Sequence, residues 1–567
     1  MTRFQLPYGR LGRSSLAPFL MEDRRFNGGR PQTAVIKRLL FVSVTTLGGV
    51  LLAMLFFHSS LEAARPIPQQ REAHALWAHP GDAGKSAASV RQFVEQCKRA
   101  GIDTIVMLVK GMSGETYWKS RRFPQTAAKG YESFDLLEHL TREAHAQGLM
   151  VDAWLCDFVD GQDGAAYREH PEWAQLNPGG GTTATETLGV ARRPYPYVWM
   201  CPARRPGYTD QWLLPMIEEI ATNYQVDNIH HDYVRYPGDV APDSYCFCDY
   251  CLKNIPRFAM LSYDTRSTER YRVNAVQEHI EANWWSDPTM LPIDWLQRDR
   301  REMADYLVNG RSIPGGPPDV RYYFYSYRVH QIDTFAREVW ERVQKINKTK
   351  GSRIGVSAAV FKNPIMSGRF IGQQWDEWAP WISMFMPMTY RSHFAGSFDA
   401  YLDHLTETTA RQLEWISREK PLYAGIATTY LFREEWQPVD DIRDRATELK
   451  TLAANDASGR AAKVKAIRES YDAVRPRLVK VAPDRERELS RRIETLSPDA
   501  TTVALDELLK LMTQLRNDPP PGYLPAEKLT RAIEAARKAR PDGIVIFVAG
   551  SLTREKLWPT LEAAFRK

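Results

Sequence analysis

The chain carries little excess of either charge for its 567 residues, with 75 Lys and Arg against 69 Asp and Glu. The net charge is only +6, and residues 1–38 alone hold eight basic side chains against Glu22 and Asp23. Proteins that bind nucleic acid neutralise its phosphates with clustered Lys and Arg. We therefore expect no nucleic-acid partner. Hydrophobic residues make up 43% of the chain, an ordinary fraction for a globular protein.

One segment without charged residues is long enough to span a membrane as a helix. Leu39–Phe57 has 19 residues without a charge, just enough to cross a bilayer as a helix. Basic residues before it orient residues 1–38 as a cytoplasmic tail. Residues 39–57 are thus predicted as a transmembrane signal anchor or a cleaved signal peptide, with a buried core helix as the alternative. Either membrane reading makes the remainder extracytoplasmic, at the cell surface or in the periplasm, anchored or secreted.

From residue 73, short apolar runs alternate with helical patterns. Ile102–Val109 is nearly continuously apolar, as expected for a strand buried on both faces. Eight strand–helix units over residues 72–567 predict an α/β fold, a (β/α)8 TIM barrel. An open doubly wound sheet is the alternative, but no Gly-rich phosphate loop follows the first strand, which argues against its nucleotide-binding form. The predicted strands are His74–His79, Ile102–Val109, Leu149–Leu155, Val226–Tyr233, Ile354–Val360, Ile382–Met388, Leu422–Thr428 and Ile544–Val548.

Two insertions interrupt these units. Residues 237–325 follow the fourth strand and contain a cysteine cluster. Residues 431–523 follow the seventh strand and are dense in Arg, Glu, Lys and Ala, which predicts a charged helical hairpin or short coiled coil. We expect both at the C-terminal rim of the barrel, where active sites of this fold lie. For the charged insertion, the sequence favours a solvated or protein-binding appendage over a part of the substrate cleft.

Cysteine is scarce, with six residues in the chain. Cys246, Cys248 and Cys251 form a C-x-C-x2-C motif that suits a thiolate-bound Zn²⁺ on a tight loop. We expect Cys201 as the fourth ligand, with Cys156, an Asp or a His as alternatives. Such a closed sulfur shell would be structural, because it leaves no open coordination position for catalysis. We expect no cofactor for catalysis. Disulfides are the alternative, because the expected compartment can be oxidising.

The fourth strand places Asn228, His230 and Asp232 on one face. Three polar groups facing a core would each cost about 1–3 kcal/mol if unpaired, so this face is predicted to line a site. Asp232 is followed by Tyr233 and Arg235, a set of donors that suits a sugar. The alternative is a purely structural pair between Asp232 and Arg235.

The run Y-x-V-D-x-I-H-x-D-Y-V-R-Y-P at Tyr224–Pro237 closely resembles the strand-four signature of the glycosyl-hydrolase-like family 10 group. These are bacterial extracytoplasmic barrel proteins, and the resemblance covers about residues 72–430 and 525–567. Looser matches lie at His74–Trp77, Asp152–Trp154 and Gly543–Phe547. His74 and Asp152 stand where that group has Arg and His, so the substrate need not be the usual one. The cysteine cluster separately resembles the tetracysteine zinc site of family 42 β-galactosidases.

The resemblance implies a glycoside hydrolase acting on a cell-wall or extracellular polysaccharide. Glycoside hydrolysis needs two carboxyl groups across the bond. We expect Asp232 as the first and Asp157, then Asp152, as the second, ahead of Asp376 and Glu377. The expected substrate-binding residues are His230, Arg235, Lys110, Trp154, Tyr390 and Tyr233.

Several of these assignments have alternatives. His230 is expected to hydrogen-bond Asp232 and tune its pKa, and a satisfied barrel histidine is the other interpretation. Tyr390 can equally be a core aromatic residue. For the whole chain, the alternative function is a catalytically inactive glycan-binding scaffold of the envelope. A sugar-modifying lyase or a deacetylase is a weaker option, and the sequence has no His/Asp constellation for the catalytic metal that a deacetylase would want.

Overall fold

The computed structural model describes residues 71–185, 197–238, 244–255, 258, 297–309, 320–416 and 418–566. The chain divides into two compact units, Met1–Arg71 and Glu72–Lys567. The predicted tail and the segment Leu39–Phe57 lie in the first unit, outside the described residues. Among the helices of the described ranges, none is both long and apolar enough to span a bilayer.

The second unit is built on eight parallel strands that close into a barrel. Their order is β8-β7-β6-β3-β2-β1-β10-β9. A parallel bridge between Phe385 and Leu422 joins the two end strands, and the Phe385 N–H donates to Pro421 O at 2.9 Å. The predicted TIM barrel is thereby confirmed. The strands are β1 Ala73–Ala78, β2 Thr104–Lys110, β3 Met150–Cys156, β4 Val159–Gly161, β5 Tyr197–Trp199, β6 Asn228–Asp232, β7 Gly355–Phe361, β8 Met384–Met388, β9 Tyr423–Ala427 and β10 Gly543–Phe547.

The fourth barrel strand, β6, ends one residue earlier than predicted. Tyr233 has a φ of +53°, in the left-handed region that an extended strand cannot contain. The chain therefore turns at the rim immediately after Asp232. This turn leaves the carboxyl group of Asp232 at the end of the strand instead of within the barrel wall.

The barrel is surrounded by helices whose apolar faces cover the outer surface of the strands. Ser86 caps the first long helix, because its hydroxyl accepts the Ser89 N–H at 3.1 Å. The helices are Pro80–Ala83, Ala87–Arg99, Leu136–Ala146, Ala165–Glu169, Leu214–Asn223, Arg300–Asn309, Val320–Lys350, Pro364–Ile371, Trp375–Trp378, Phe398–Trp415, Thr428–Leu431, Arg433–Thr451, Ala457–Val481, Pro483–Glu494, Thr502–Asn517, Glu527–Lys538, Ala549–Arg554 and Trp558–Phe565.

The charged insertion consists of four helices, so the prediction of a hairpin or short coiled coil was wrong. They are Arg433–Thr451, Ala457–Val481, Pro483–Glu494 and Thr502–Asn517. Proline at the first position of the third helix starts a new helix where a hairpin would continue. Each helix buries an apolar stripe, so the insertion has a small core of its own.

Two features of the rim differ from the sequence-based expectation. After β3, the short strands β4 and β5 pair antiparallel, with Val159 opposite Trp199. After β6, the helix Val320–Lys350 begins inside the predicted insertion 237–325. The β4–β5 pair places Trp199 beside the end of β6, where it contacts the site described next.

Candidate active site at the carboxyl end of the barrel

Asp232 is a half-buried carboxyl at the end of β6. Its Oδ1 accepts the N–H of Tyr233 at 2.7 Å. Burial raises the pKa of Asp232 to about 6, while the Arg235 charge and the Tyr233 N–H act to lower it. The carboxyl therefore remains protonated into weakly acidic solution, a property that a general acid needs.

Arg235 lies in a cage of three aromatic rings next to Asp232. Its guanidinium carbon is 4.8 Å from the ring centroid of Trp199, 4.9 Å from that of Tyr233 and 4.8 Å from that of Phe361. Cation–π contacts of this kind hold a guanidinium in place. Only 8% of Arg235 is exposed. The predicted residues Tyr233 and Arg235 thus adjoin Asp232, with Arg235 acting as a fixed positive charge.

A surface of aromatic rings faces Asp232 across the end of the barrel. The Tyr390 ring stacks on Phe547 at 5.6 Å and 26°, and Trp154 packs against His79 at 5.5 Å. The pKa of Tyr390 is raised by burial and by the Asp232 charge. The predicted residues Trp154 and Tyr390 therefore lie together with Asp232. Aromatic faces of this kind suit the apolar faces of sugar rings.

Below this surface, a chain of hydrogen bonds crosses the barrel interior. The Trp77 indole N–H donates to His230 Nε2 at 3.1 Å, and His230 Nδ1 lies 2.9 Å from Ser357 Oγ. The Ser357 hydroxyl donates to Asp152 Oδ2 at 3.0 Å, and Asn228 donates to Asp152 Oδ1 at 2.7 Å. Because an indole can only donate, the proton of His230 lies on Nδ1.

This network corrects the expected role of His230. Both of its ring nitrogens are engaged by Trp77 and Ser357, so it does not hydrogen-bond Asp232. Burial lowers the pKa of His230 well below its ordinary value, which keeps the ring neutral. His230 matches the alternative, a satisfied barrel histidine, and it holds Trp77 beneath the aromatic surface. Asp152 lies in the same network, fully buried and beneath the rim.

Asp152 makes the stability of the barrel pH-dependent. Burial raises the pKa of Asp152 to about 7, against about 3.9 in an unfolded chain. The folded state therefore binds more protons between pH 4 and pH 7, so the free energy of unfolding falls as pH rises through that interval. Asp152→Asn cannot titrate, and we expect it to reduce this fall by on the order of 1–4 kcal/mol.

Urea unfolding at pH 5 and pH 7.5 measures this effect. Asp249→Asn is a matched control, because the Asp249 side chain is 83% exposed. The same pH dependence in Asp152→Asn and in the wild type would contradict the assignment.

Asp157 and Lys110 lie near the end of β6, but their side chains are buried and hydrogen-bonded to other groups. Asp157 is fully buried, and its Oδ2 lies 2.7 Å from Nδ1 of His231. His231 points to the opposite face of β6 and packs on Phe335 of the helix Val320–Lys350. Lys110 is also buried and donates to the carbonyl oxygens of Cys156 at 2.6 Å and Val159 at 2.9 Å. Both expected site residues are therefore buried and already hydrogen-bonded within the protein.

Two residues near the site were not singled out from the sequence. His231 follows His230 directly, and strand alternation alone would have assigned it to the other face. Glu115 lies in the loop after β2, folded back over the strand end, where the Gly111 N–H donates to Glu115 O at 2.9 Å. The only feature of the sequence that could have pointed to Glu115 is its place in the loop that follows a barrel strand.

The four predicted zinc ligands come together. Cys201, Cys246, Cys248 and Cys251 are all buried, and their sulfur atoms lie within 4.8 Å of one another. Cys201 and Cys251 are 3.6 Å apart, and Cys201 and Cys248 are 3.7 Å apart. Four thiolates at the usual Zn–S distance of about 2.3 Å stand roughly 3.8 Å apart on a tetrahedron. The geometry thus fits a four-coordinate metal ion, and the cysteines are unpaired thiols here.

Two sizeable cavities lie away from this rim. One, of about 870 Å³, is lined by helices of the charged insertion, including Leu489 and Met512. Another cavity, of about 700 Å³, is lined by Arg122, Glu218 and Arg342, and both arginines form ion pairs with Glu218. Neither gathers carboxyl groups with aromatic surface, so the rim remains the candidate site.

Comparisons with known proteins agree with a carbohydrate-related assignment. Residues 80–414 match a family model, DUF4015, described as "Putative glycosyl hydrolase domain". The S-layer-related protein of Niallia circulans is 21% identical over 373 residues, 60% of this chain and 20% of that protein. The chain thus spans about a fifth of the length of this curated relative.

Three solved structures to which the chain is similar are distant from it in sequence. A catalytic mutant of a GH42 β-galactosidase from G. stearothermophilus has 12% identity and a TM-score of 0.41, covering 63% of this chain and 46% of that one. The β-galactosidase from Rahnella sp. R3 has 16% identity and a TM-score of 0.39, covering 63% and 45%. The α-L-fucosidase isoenzyme 2 from Paenibacillus thiaminolyticus has 14% identity and a TM-score of 0.36, covering 67% and 44%.

The fold assignment rests on the strand order, not on these likenesses. None of the comparisons confirms the family 10 group in particular. The family match extends over more than half of the chain and includes Glu115, Trp154, Asp232 and Tyr390. The chain therefore belongs to the DUF4015 family, whose model is described as a putative glycosyl hydrolase domain.

Proposed function

We propose that this chain is a glycoside hydrolase that cleaves a cell-wall or extracellular polysaccharide at the carboxyl end of its barrel. One observation carries the proposal. Asp232 is a half-buried carboxyl with a pKa raised to about 6, placed at a strand end beside Trp154 and Tyr390. A protonatable carboxyl next to aromatic stacking surface is what protonation of a glycosidic oxygen requires.

In this proposal Asp232 acts as the general acid. Its proton passes to the glycosidic oxygen as the bond to the anomeric carbon breaks, and the leaving sugar departs as an alcohol. Trp154 and Tyr390 stack on the sugar rings at either side of the bond. Arg235 stays in its aromatic cage and stabilises the carboxylate that Asp232 becomes.

An envelope location supports the choice of substrate class. The curated relative is named as S-layer-related, and the basic residues 1–38 followed by Leu39–Phe57 favour a membrane-anchored or secreted chain. The finer resemblance of Tyr224–Pro237 to the extracytoplasmic family 10 group points in the same direction. We propose that the four-helix insertion at residues 431–523 contacts a protein partner there.

We also propose that Cys201, Cys246, Cys248 and Cys251 hold a structural zinc ion. When bound, the ion would supply a cross-link between separate rim segments. Cys201 precedes the helix Leu214–Asn223, and the other three thiols follow β6. The ligands thus connect the loops on both sides of β6 and secure the strand that bears Asp232.

Release of new reducing ends from a panel of bacterial and plant polysaccharides tests the function. The purified chain is expected to release reducing ends from at least one of them in proportion to enzyme and time. If none is cleaved while a glycan array shows binding, the chain is the glycan-binding scaffold and the proposed function is wrong.

A further inference from the structure

We propose that Glu115 is the second carboxyl of the site and the general base of an inverting hydrolysis in which Asp232 is the acid. This inference rests on the proposed function, and it names the second carboxyl group that glycoside hydrolysis requires. Glu115 lies on the rim after β2 and is half-buried. Its side chain accepts a hydrogen bond from the Tyr117 hydroxyl, and its backbone oxygen accepts the Gly111 N–H.

Glu115 and Asp232 face the same part of the rim. Both carboxylates raise the pKa of the Cys156 thiol, after the larger effect of its burial, so Cys156 lies within electrostatic reach of each. Cys156 is the last residue of β3 and is paired with Asp232 of β6. On the other side of β3, Lys110 of β2 is paired with Leu155, and Glu115 folds back over Gly111, the next residue.

The strand spacing gives the scale of the separation, because Glu115 folds back over Gly111, the residue after β2. Neighbouring strands lie about 4.8 Å apart, and β3 stands between β2 and β6. The ends of β2 and β6 are therefore roughly 9–10 Å apart. An inverting pair needs about 6.5–9.5 Å between its carboxyl groups to leave room for a water molecule, whereas a retaining pair needs about 5–5.5 Å. Two strand spacings lie near the upper limit for an inverting pair and well above the separation of a retaining pair.

The carboxyl group of Glu115 has one hydrogen-bonded oxygen. The Tyr117 hydroxyl donates to its Oε1 at 3.3 Å. Its Oε2 is buried and has no hydrogen-bond partner within the described part of the chain. A Cβ at Gly111 would lie 2.1 Å from Oε1, so glycine there makes the room that the carboxylate occupies.

The other carboxyl groups near the rim are already engaged. Asp157 bonds to His231. Asp160 accepts the Tyr167 N–H at 2.8 Å and is 1% exposed. Asp82 accepts the His79 N–H at 2.8 Å at the start of the helix Pro80–Ala83. Asp152 belongs to the interior network.

The reaction balances with these two groups and water alone. Glu115 takes a proton from a water molecule. At the same time, the oxygen of that water molecule bonds to the anomeric carbon from the side opposite the leaving group. The bond from that carbon to the glycosidic oxygen breaks, and the Asp232 proton joins that oxygen. Glu115 is then protonated and Asp232 is ionised, and one proton passes from Glu115 to Asp232 through solvent to restore the starting state.

The test uses the full chain and the polysaccharide that it cleaves. We expect Glu115→Gln to lower kcat by about 10²–10⁴-fold with an unchanged thermal midpoint. Glu115→Ala with added azide is expected to regain turnover and to form a glycosyl azide of inverted configuration. The anomer of the first wild-type product, read by NMR, is expected to be inverted. Glu132→Gln is the matched control, an exposed glutamate of the same loop.

The outcomes separate this inference from the function on which it depends. An active wild type with an inactive Asp232→Asn and a fully active Glu115→Gln would overturn the role of Glu115 and leave the hydrolase standing. If Glu115→Gln loses activity and azide does not rescue Glu115→Ala, Glu115 is a structural residue and the inference is overturned. A first product with retained anomeric configuration would also overturn it. A wild type without activity on any polysaccharide would overturn both.

Discussion

Asp232→Asn is expected to lower kcat by about 10³-fold while leaving the free energy of unfolding close to that of the wild type. Asparagine keeps the shape of the side chain and an oxygen that can accept the Tyr233 N–H, but it cannot deliver a proton. Since burial already disfavours the charged form of Asp232, removing the charge carries no large cost to folding. Initial rates on the cleaved polysaccharide and urea unfolding of both proteins measure the two quantities.

Asp376→Asn is the matched control for this experiment. Asp376 is an exposed aspartate of the short helix Trp375–Trp378, and the sequence alone made it a candidate carboxylate. The control variant is expected to retain wild-type kcat. Equal kcat in Asp232→Asn and the wild type would show that the chemistry does not take place at the end of β6.

Cys251→Ser is expected to remove most of the bound zinc and to destabilise the second unit by more than about 4 kcal/mol, as losses of structural metals do. The serine hydroxyl is a much weaker zinc ligand than a thiolate, and the three remaining buried thiols would lose their shared ion. Zinc content by atomic emission should fall from about one ion per chain, and urea unfolding should shift to lower concentration.

The control for this prediction is Cys97→Ala, because Cys97 is buried in the helix Ala87–Arg99, outside the cluster. Zinc content should be unchanged in this variant. A wild-type chain without zinc, with an intact mass 2 Da lower per bridge than the reduced chain, would instead establish disulfides and reject the metal site.

Much of the barrel follows from the order of apolar residues. The predicted strand Ile544–Val548 lies within one residue of β10. A short, continuously apolar run of this kind is typical of a strand that is buried on both faces. The antiparallel pair β4 and β5 was not predicted, because each strand has only three residues and no period can be read in so short a segment. The charged insertion was assigned as helical, but the number of its helices depends on which prolines start a new helix, as Pro483 does, and which lie within one, as Pro476 does.

The site was only partly predictable. Strand alternation is a property of local sequence, so it correctly put His230 and Asp152 on the interior face of the barrel. It could not say that Trp77 and Ser357 would occupy both nitrogens of His230, because those contacts join residues more than 120 positions apart. Glu115 lies in a loop without periodicity, and its position over Gly111 is set by the backbone turn after β2.

Hydrolysis in H₂¹⁸O tests the central claim most directly. The wild-type chain is incubated with the cleaved polysaccharide, and the new reducing-end sugars are weighed by mass spectrometry beside those from Asp232→Asn. We expect each new reducing end of the wild-type reaction to carry one ¹⁸O, and Asp232→Asn to yield almost none. Products without the label, or with the unsaturated sugar of a lyase, would contradict a glycoside hydrolase, and labelled products in equal amount from the variant would contradict a site at Asp232.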